Sequence, residues 1–179
     1  MRNDPGIRRF LLLTAAALLC AFVSGCGSCK PGKPGPIGRY DVVAQLDDSL
    51  KQASVLVDLV GVNAANLPRW ENYSMKKYWE DNDPMRKDAD KKTLNFVSGQ
   101  SLSQTLEAKD PKWDQWKSKG ATHILVLADL PGTHVDKPGS QDARRLVLPL
   151  DECHWAKKTS KLSVLVKRSG MDVLTPLRQ

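Results

Sequence analysis

Four cysteines hold most of the reactive potential of this 179-residue chain: Cys20, Cys26, Cys29 and Cys153. A thiolate can take up an acyl or alkyl group, pair into a disulfide or bind a metal. Three of the four crowd into residues 18–36, LLCAFVSGCGSCKPGKPGP. The other candidate groups are His123, His134 and His154 among many Ser and Asp. A Ser-His-Asp set needs three side chains converging in space, and no GxSxG elbow or other local nucleophile signature is present. His134 with Asp136, and any two of Asp151, Cys153 and His154, offer two ligands each, short of the four that a structural zinc site wants. The expectation is no catalytic residues, no metal and no cofactor.

Arg2, Arg8 and Arg9 precede an uncharged run at residues 10–23, FLLLTAAALLCAFV. A spanning helix needs about 20 apolar residues, so this run is short for one, and basic flank, apolar core and small residues form the pattern of a secretory signal peptide. The sequence Val23-Ser24-Gly25-Cys26 resembles a bacterial lipobox. The resemblance implies cleavage before Cys26, lipidation of its thiol, and fatty acylation of the freed amine. Each buried CH₂ contributes about 0.8 kcal/mol, and two or three chains fix a protein to a bilayer. With Gly27 rather than Asp after the cysteine, the resemblance to lipoproteins further implies the periplasmic face of an outer membrane. An ordinary signal peptide cut near the same point is the alternative. Cys20 leaves with the signal. In an oxidising compartment Cys29 and Cys153 either pair or remain two free thiols.

The full chain carries a net +7, and the signal's three Arg and one Asp reduce the mature chain to +5. No basic run with interleaved aromatics is present, which argues against nucleic acid. The organisation reads as a signal peptide at residues 1–25, a lipidated cysteine with a Pro/Gly tether at 26–39, and one domain at 40–179. Pro31, Pro34 and Pro36 favour polyproline II, so the tether reaches about 40 Å at roughly 3.1 Å per residue.

The elements of the domain are mostly strands. SVLVDLVGV from Ser54, THILVLADL from Thr122 and RRLVLPL from Arg144 are apolar and β-branched, with Pro149 marking an edge or a strand end. Leu162, Val164 and Val166 alternate, and Ser169-Gly170 turns the chain into a hairpin. Residues 40–46 and 93–97 are weaker strand candidates. Ser74 caps a turn through Trp79, Ser101 and Gln104 have capping-box spacing before Leu106, and Asp110-Pro111 opens a helix over PKWDQWKSK that Gly120 stops. The pattern predicts a mainly β fold, an antiparallel two-layer β-sandwich with short inserted helices. KKYWEDNDPMRKDADKK reads as a solvated helix or loop.

SVLVDLVGVN, followed by a Pro-containing segment and NYSMKKYW, resembles the early part of the TssJ family, the outer-membrane lipoproteins of type VI secretion systems; Asn63, Pro68 and Tyr78 fall in comparable order. GATHILVLADLPG, RRLVLPL and LSVLVKRSGMDVL resemble later strands of that family, so the likeness runs thinly over residues 54–174. The family's Asn-Pro-Asp-type loop is missing; Asn63 is followed by AANLPRWENYS. The resemblance implies a transthyretin-like sandwich that docks the periplasmic domain of an inner-membrane protein, TssM, partly through the loop after its first strand.

The tryptophans are Trp70, Trp79, Trp113, Trp116 and Trp155, five against three Phe and three Tyr. Trp113 and Trp116 share a helix face and read as core. Asn63, Leu67, Pro68, Trp70 and Tyr73 form the candidate partner-binding loop, with Trp70 either an exposed anchor or part of the core. The alternative function is a peptidoglycan- or carbohydrate-binding lipoprotein that stacks sugars on exposed Trp rings.

Overall fold

The computed structural model describes Cys29 and residues 35–178; the signal run and Cys26 lie outside the described residues. Eight strands among those residues form two four-stranded sheets. The first contains β1 (Asp41–Leu46), β4 (Ser103–Leu106), β7 (Lys161–Lys167) and β8 (Gly170–Val173), in the order β4-β1-β7-β8. The second contains β2 (Val55–Val62), β3 (Lys91–Phe96), β5 (His123–Ala128) and β6 (Arg145–Pro149), in the order β3-β2-β5-β6. The fold is mainly β, a sandwich of two sheets.

One pair departs from the antiparallel expectation. β1 and β7 run parallel in the register Val42↔Leu162. Parallel neighbours need a long crossover. Here the whole second sheet and its helices lie in the connection between them.

The strands form where alternation demands it. Val42, Ala44 and Leu46 on β1 face Leu162, Val164 and Val166 on β7 around the inter-sheet core, with Val55, Val57 and Leu59 of β2 opposite. β5 is buried on both faces: Ile124, Val126 and Ala128 enter this core, while Leu125 and Leu127 enter a second one. Its unbroken apolar run is the signature of a doubly covered strand.

The second cover is the β2–β3 connection. It builds α1 (Leu67–Glu71), α2 (Met75–Tyr78) and α3 (Pro84–Asp88), which lie on the outer face of the second sheet. The segment expected as a loop at residues 63–74 therefore contains a helix. The fourth helix, α4 (Lys112–Ser118), places Trp113 and Trp116 in the main core at 2% and 1% exposure, in edge-to-face contact at 5.3 Å. Asp110 accepts the Lys112 amide at 2.8 Å, and Gly120, at φ +68°, ends the helix.

Two further expectations are corrected. The capping-box spacing at Ser101 and Gln104 starts no helix; residues 103–106 are β4, and pairing along the free side of β1 outweighs a local four-residue signal. The tether is shorter than read: Gly35 donates to Asp151 at 2.8 Å, Ile37 bridges Asp151 and Gly38 donates to the Leu150 carbonyl at 2.8 Å, so the chain is already bound to the domain before Tyr40. Cys29 and Cys153 are joined by a disulfide, with Cα atoms 5.5 Å apart.

Candidate docking site

Asp58 lies on the outward face of β2 and is fully buried. A carboxylate there needs donors. It receives Thr93 Oγ1 at 2.5 Å, the Tyr78 hydroxyl at 3.0 Å and Arg86 Nε at 3.0 Å. β3 supplies the first, α2 the second and α3 the third, so one side chain pins two of the three inserted helices to the sheet. Burial, followed by the adjacent carboxylate, pushes the Tyr78 phenol far above its ordinary pKa, so it stays a proton donor. Arg86 also lies over the Trp79 ring at 4.3 Å, a cation–π contact. Asp83 caps α3 by accepting the Arg86 amide at 2.8 Å, and it accepts the Tyr73 hydroxyl at 2.6 Å.

Two consecutive arginines fasten the insert from the other side. Arg144 grips Asp142 with a bidentate fork, both contacts 2.9 Å, and also pairs with Asp136. Asp136 in turn accepts the Ser74 hydroxyl and the Lys76 amide at the start of α2. Burial works against ionised Asp142, but the bonds from Arg144 and the Lys137 amide outweigh it and hold the carboxyl below the usual range. Arg145 is fully buried and has no carboxylate partner among the described residues. Its guanidinium donates to the backbone carbonyls of Gly139, Trp70, Tyr73 and Lys137, at 2.5 to 2.9 Å. Burial lowers its pKa.

The predicted binding residues divide accordingly. Asn63 is a turn former: its Oδ1 accepts the Asn66 amide at 2.9 Å and its Nδ2 donates to the Lys119 carbonyl at 3.3 Å. Leu67 and Tyr73 are half-buried against the second core. Pro68 is exposed in the first turn of α1, where its fixed φ suits the helix. Trp70 is 8% exposed and packs with Met75, Tyr78 and Met85 in that core, so it is not an exposed anchor. On α1 the Trp70 ring faces inward, into the same core as Val60 and Val62 of β2 and Leu125 and Leu127 of β5.

Between α1, α3 and the end of β2 the insert leaves an open cleft of about 420 Å³, bordered by Asn66, Arg69, Tyr73, Asp88, Asp90 and Lys119. Asp90 sits at its rim with Lys112 and Lys119, each at 2.8 Å. The sequence reading did not single out Asp58, Arg86 or Arg145, and it weighed Asp136 only as a metal ligand beside His134. For Asp58 a signal existed, a lone carboxylate inside an apolar strand that must find partners. For the two arginines none did, because their acceptors lie up to 75 residues away.

The other candidates stay apart. His123 shares a 2.9 Å contact with Thr122 and burial lowers its pKa; His154 lies edge-on to Trp155; His134 lies in the β5–β6 connection. No group of three potential ligands that could hold a metal exists among the described residues. Trp113, Trp116 and Trp155 are core, each donating its indole N–H to a backbone carbonyl, and Trp79 is half-buried under Arg86. The exposed Trp platform that a sugar-stacking reading requires is absent among the described residues. No helix among them is long and apolar enough to cross a membrane.

No protein-family model matches the sequence, and no curated protein does. Among solved structures, the chain is similar to Serratia marcescens Lip, described as a membrane-bound component of the type VI secretion system: 12% identity, TM-score 0.48, covering 75% of this chain and 96% of that one. It is similar to the type VI secretion lipoprotein TssJ1 from Pseudomonas aeruginosa: 10% identity, TM-score 0.47, covering 78% and 97%. A structure described as the TssM C-terminal domain from EAEC gives 14% identity and TM-score 0.49, covering 75% and 99%.

Proposed function

We propose that this chain is an acyl-anchored periplasmic lipoprotein of the outer membrane and a structural docking component of a type VI secretion-like membrane complex, acting without catalysis. Cys26 carries the lipid, and the partner is the periplasmic domain of a TssM-like inner-membrane protein. Lip and TssJ1 among the similar structures are described as type VI secretion components, and that role comes to this chain here as a proposal.

The observation that carries the docking part is the cleft. The β2–β3 insert is held to the sheet by Asp58, Arg86 and Arg145, yet it leaves the polar and charged side chains of Asn66, Arg69 and Asp88 around an open concavity. Binding groups on a rigid scaffold lose little entropy on association. Asn66 at the N-cap of α1 and Arg69 on α1 are exposed at its border, with buried Trp70 beside them. The docking surface thus keeps the segment read from the sequence and replaces the side chain at its centre.

The test pairs affinity with stability. Asn66→Ala and Arg69→Glu together should weaken binding to the periplasmic domain of the inner-membrane partner about tenfold, roughly 1.4 kcal/mol, with melting of the free domain unchanged. Unchanged affinity would place the interface elsewhere. The anchor is tested by Cys26→Ala, which should abolish fatty-acid labelling; persistent label would refute the lipobox.

A further inference from the structure

The Cys29–Cys153 disulfide lies three residues from Cys26 along the chain. At 3.3 to 3.6 Å per residue, three residues reach at most about 10 Å. Without the disulfide, the first backbone attachment to the domain among the described residues is Gly35 on Asp151, nine residues from Cys26, a reach of about 30 Å. The disulfide therefore fixes both how far the domain stands from an acyl group on Cys26 and which end faces it.

That end has the composition of a membrane-resting surface. The loop at residues 151–156 is flanked on one side by Ile37, bridged to Asp151, and on the other by Leu177, bridged to Trp155. Ile37 is 47% exposed and Leu177 is 59% exposed, two of the few large apolar side chains left in solvent. Lys157 and Lys158 follow the loop and are exposed, and neither is ion-paired with a described residue. Arg178 lies against the disulfide, its guanidinium 2.6 Å from the Cys29 sulfur. The carboxylates here are Glu152, exposed, and Asp151, whose Oδ1 is occupied by the Gly35 and Cys153 amides. Cations outnumber them.

We propose that the Cys29–Cys153 disulfide lays this end of the domain, with Ile37 and Leu177 at the apolar contact and Lys157 and Lys158 around it, onto the anionic surface of the bilayer that holds acylated Cys26. This rests on the anchoring reading above. Each lysine near an anionic surface favours the docked arrangement by roughly fivefold. The short tether supplies the high local concentration that makes so small a patch sufficient. In the docked arrangement the disulfide is the pivot of the domain.

The test uses the full mature chain, acylated and reconstituted into vesicles of phosphatidylethanolamine and phosphatidylglycerol, with hydrogen exchange as the readout. Amides at residues 35–39 and 153–159 should exchange about fivefold more slowly with the disulfide intact than in the Cys29→Ser/Cys153→Ser chain. Amides of β2 and β5 report whether that variant keeps its fold. A second variant, Lys157→Glu/Lys158→Glu, keeps the disulfide and should lose the same protection, as should the unaltered chain on phosphatidylcholine vesicles. If Cys26 bears no acyl group, the anchoring reading fails and the proposal falls with it. If Cys26 is acylated and exchange at these segments is indifferent to the disulfide, or to the two lysines, the proposal alone is overturned.

Discussion

One nitrogen of Arg145 on β6 donates to two backbone carbonyls, those of Trp70 and Tyr73, each at 2.9 Å. The same guanidinium holds Lys137 and Gly139 in the β5–β6 connection. A buried cation with only carbonyl partners is a structural clamp: it closes the helical insert against the loop that carries Asp136 and Asp142.

Removing that clamp leaves the Tyr73 and Lys137 carbonyls without a donor among the described residues, while those of Trp70 and Gly139 keep the amides of Tyr73 and Asp142. Arg145→Met should lower unfolding free energy by about 3 kcal/mol or more, since each buried acceptor left without a donor costs about 1–3 kcal/mol. Arg145→Lys should recover only part, because one ammonium cannot span the fork. Urea unfolding gives the magnitude. Hydrogen exchange at residues 66–79 should accelerate before that of β5; equal acceleration in both would contradict a local clamp.

Trp70→Ala should destabilise the free domain by about 3–5 kcal/mol, the usual cost of deleting a large buried aromatic. Any loss of partner affinity in that variant should track loss of folded protein. Thermal melts alongside affinity measurements decide the matter: weakened binding with an unshifted melt would return Trp70 to the interface.

Gly61 on β2 lies under the Trp116 ring, whose indole N–H donates to the Asp90 carbonyl at 2.8 Å. A methyl group at position 61 would occupy space the ring fills. Gly61→Ala should cost about 1–3 kcal/mol through overpacking. Adding Trp116→Leu should make the Ala substitution far less damaging, a coupling that a double-mutant cycle measures. Simple additivity would show that the ring yields freely.

Acid should loosen the β5–β6 connection. The folded pKa of Asp142 lies below its unfolded value near 3.9, because Arg144 and two amides outweigh burial. Asp136 is lowered too, since the Ser74, Lys76 and Arg144 bonds outweigh its desolvation. Depressed carboxylates contribute stability above the unfolded pKa and lose it as pH falls through the folded values, so the decline should be concentrated below about pH 4. Unfolding free energy measured from pH 7 to pH 3 should fall, and Asp142→Asn should be less stable at pH 7 and show a shallower fall. An equally steep fall in the variant would assign the acid sensitivity elsewhere.

The strands were legible where burial is periodic. β7 and β8 announce themselves through Leu162, Val164 and Val166 and the Ser169-Gly170 turn, and the register Lys167↔Gly170 follows. β4 was misread because Ser101 does make local bonds to residue 103, which mimic a capping signal while the segment pairs with β1. The charged stretch at residues 76–92 read as solvated, and most of its lysines are. Asp83 and Arg86 within it are anchors, and only their partners in space distinguish them from their neighbours. Trp70 was ambiguous for the same reason: its segment reads as a loop, and the helix that carries it inward is held through the Trp70 and Tyr73 carbonyls by Arg145, 72 and more residues away.

The parallel pairing of β1 with β7 bears on the order in which the molecule assembles. β1 occupies an inner position of its sheet, and its register with β7 joins the first strand of the domain to the seventh. Until the chain is complete through β7, β1 has only β4 beside it and an unpaired row of backbone groups on its other side. Contacts this far apart in sequence are late and slow to form. The N-terminal half thus has no self-sufficient fold, and a chain exported as proposed would remain extendable until its last strands had crossed.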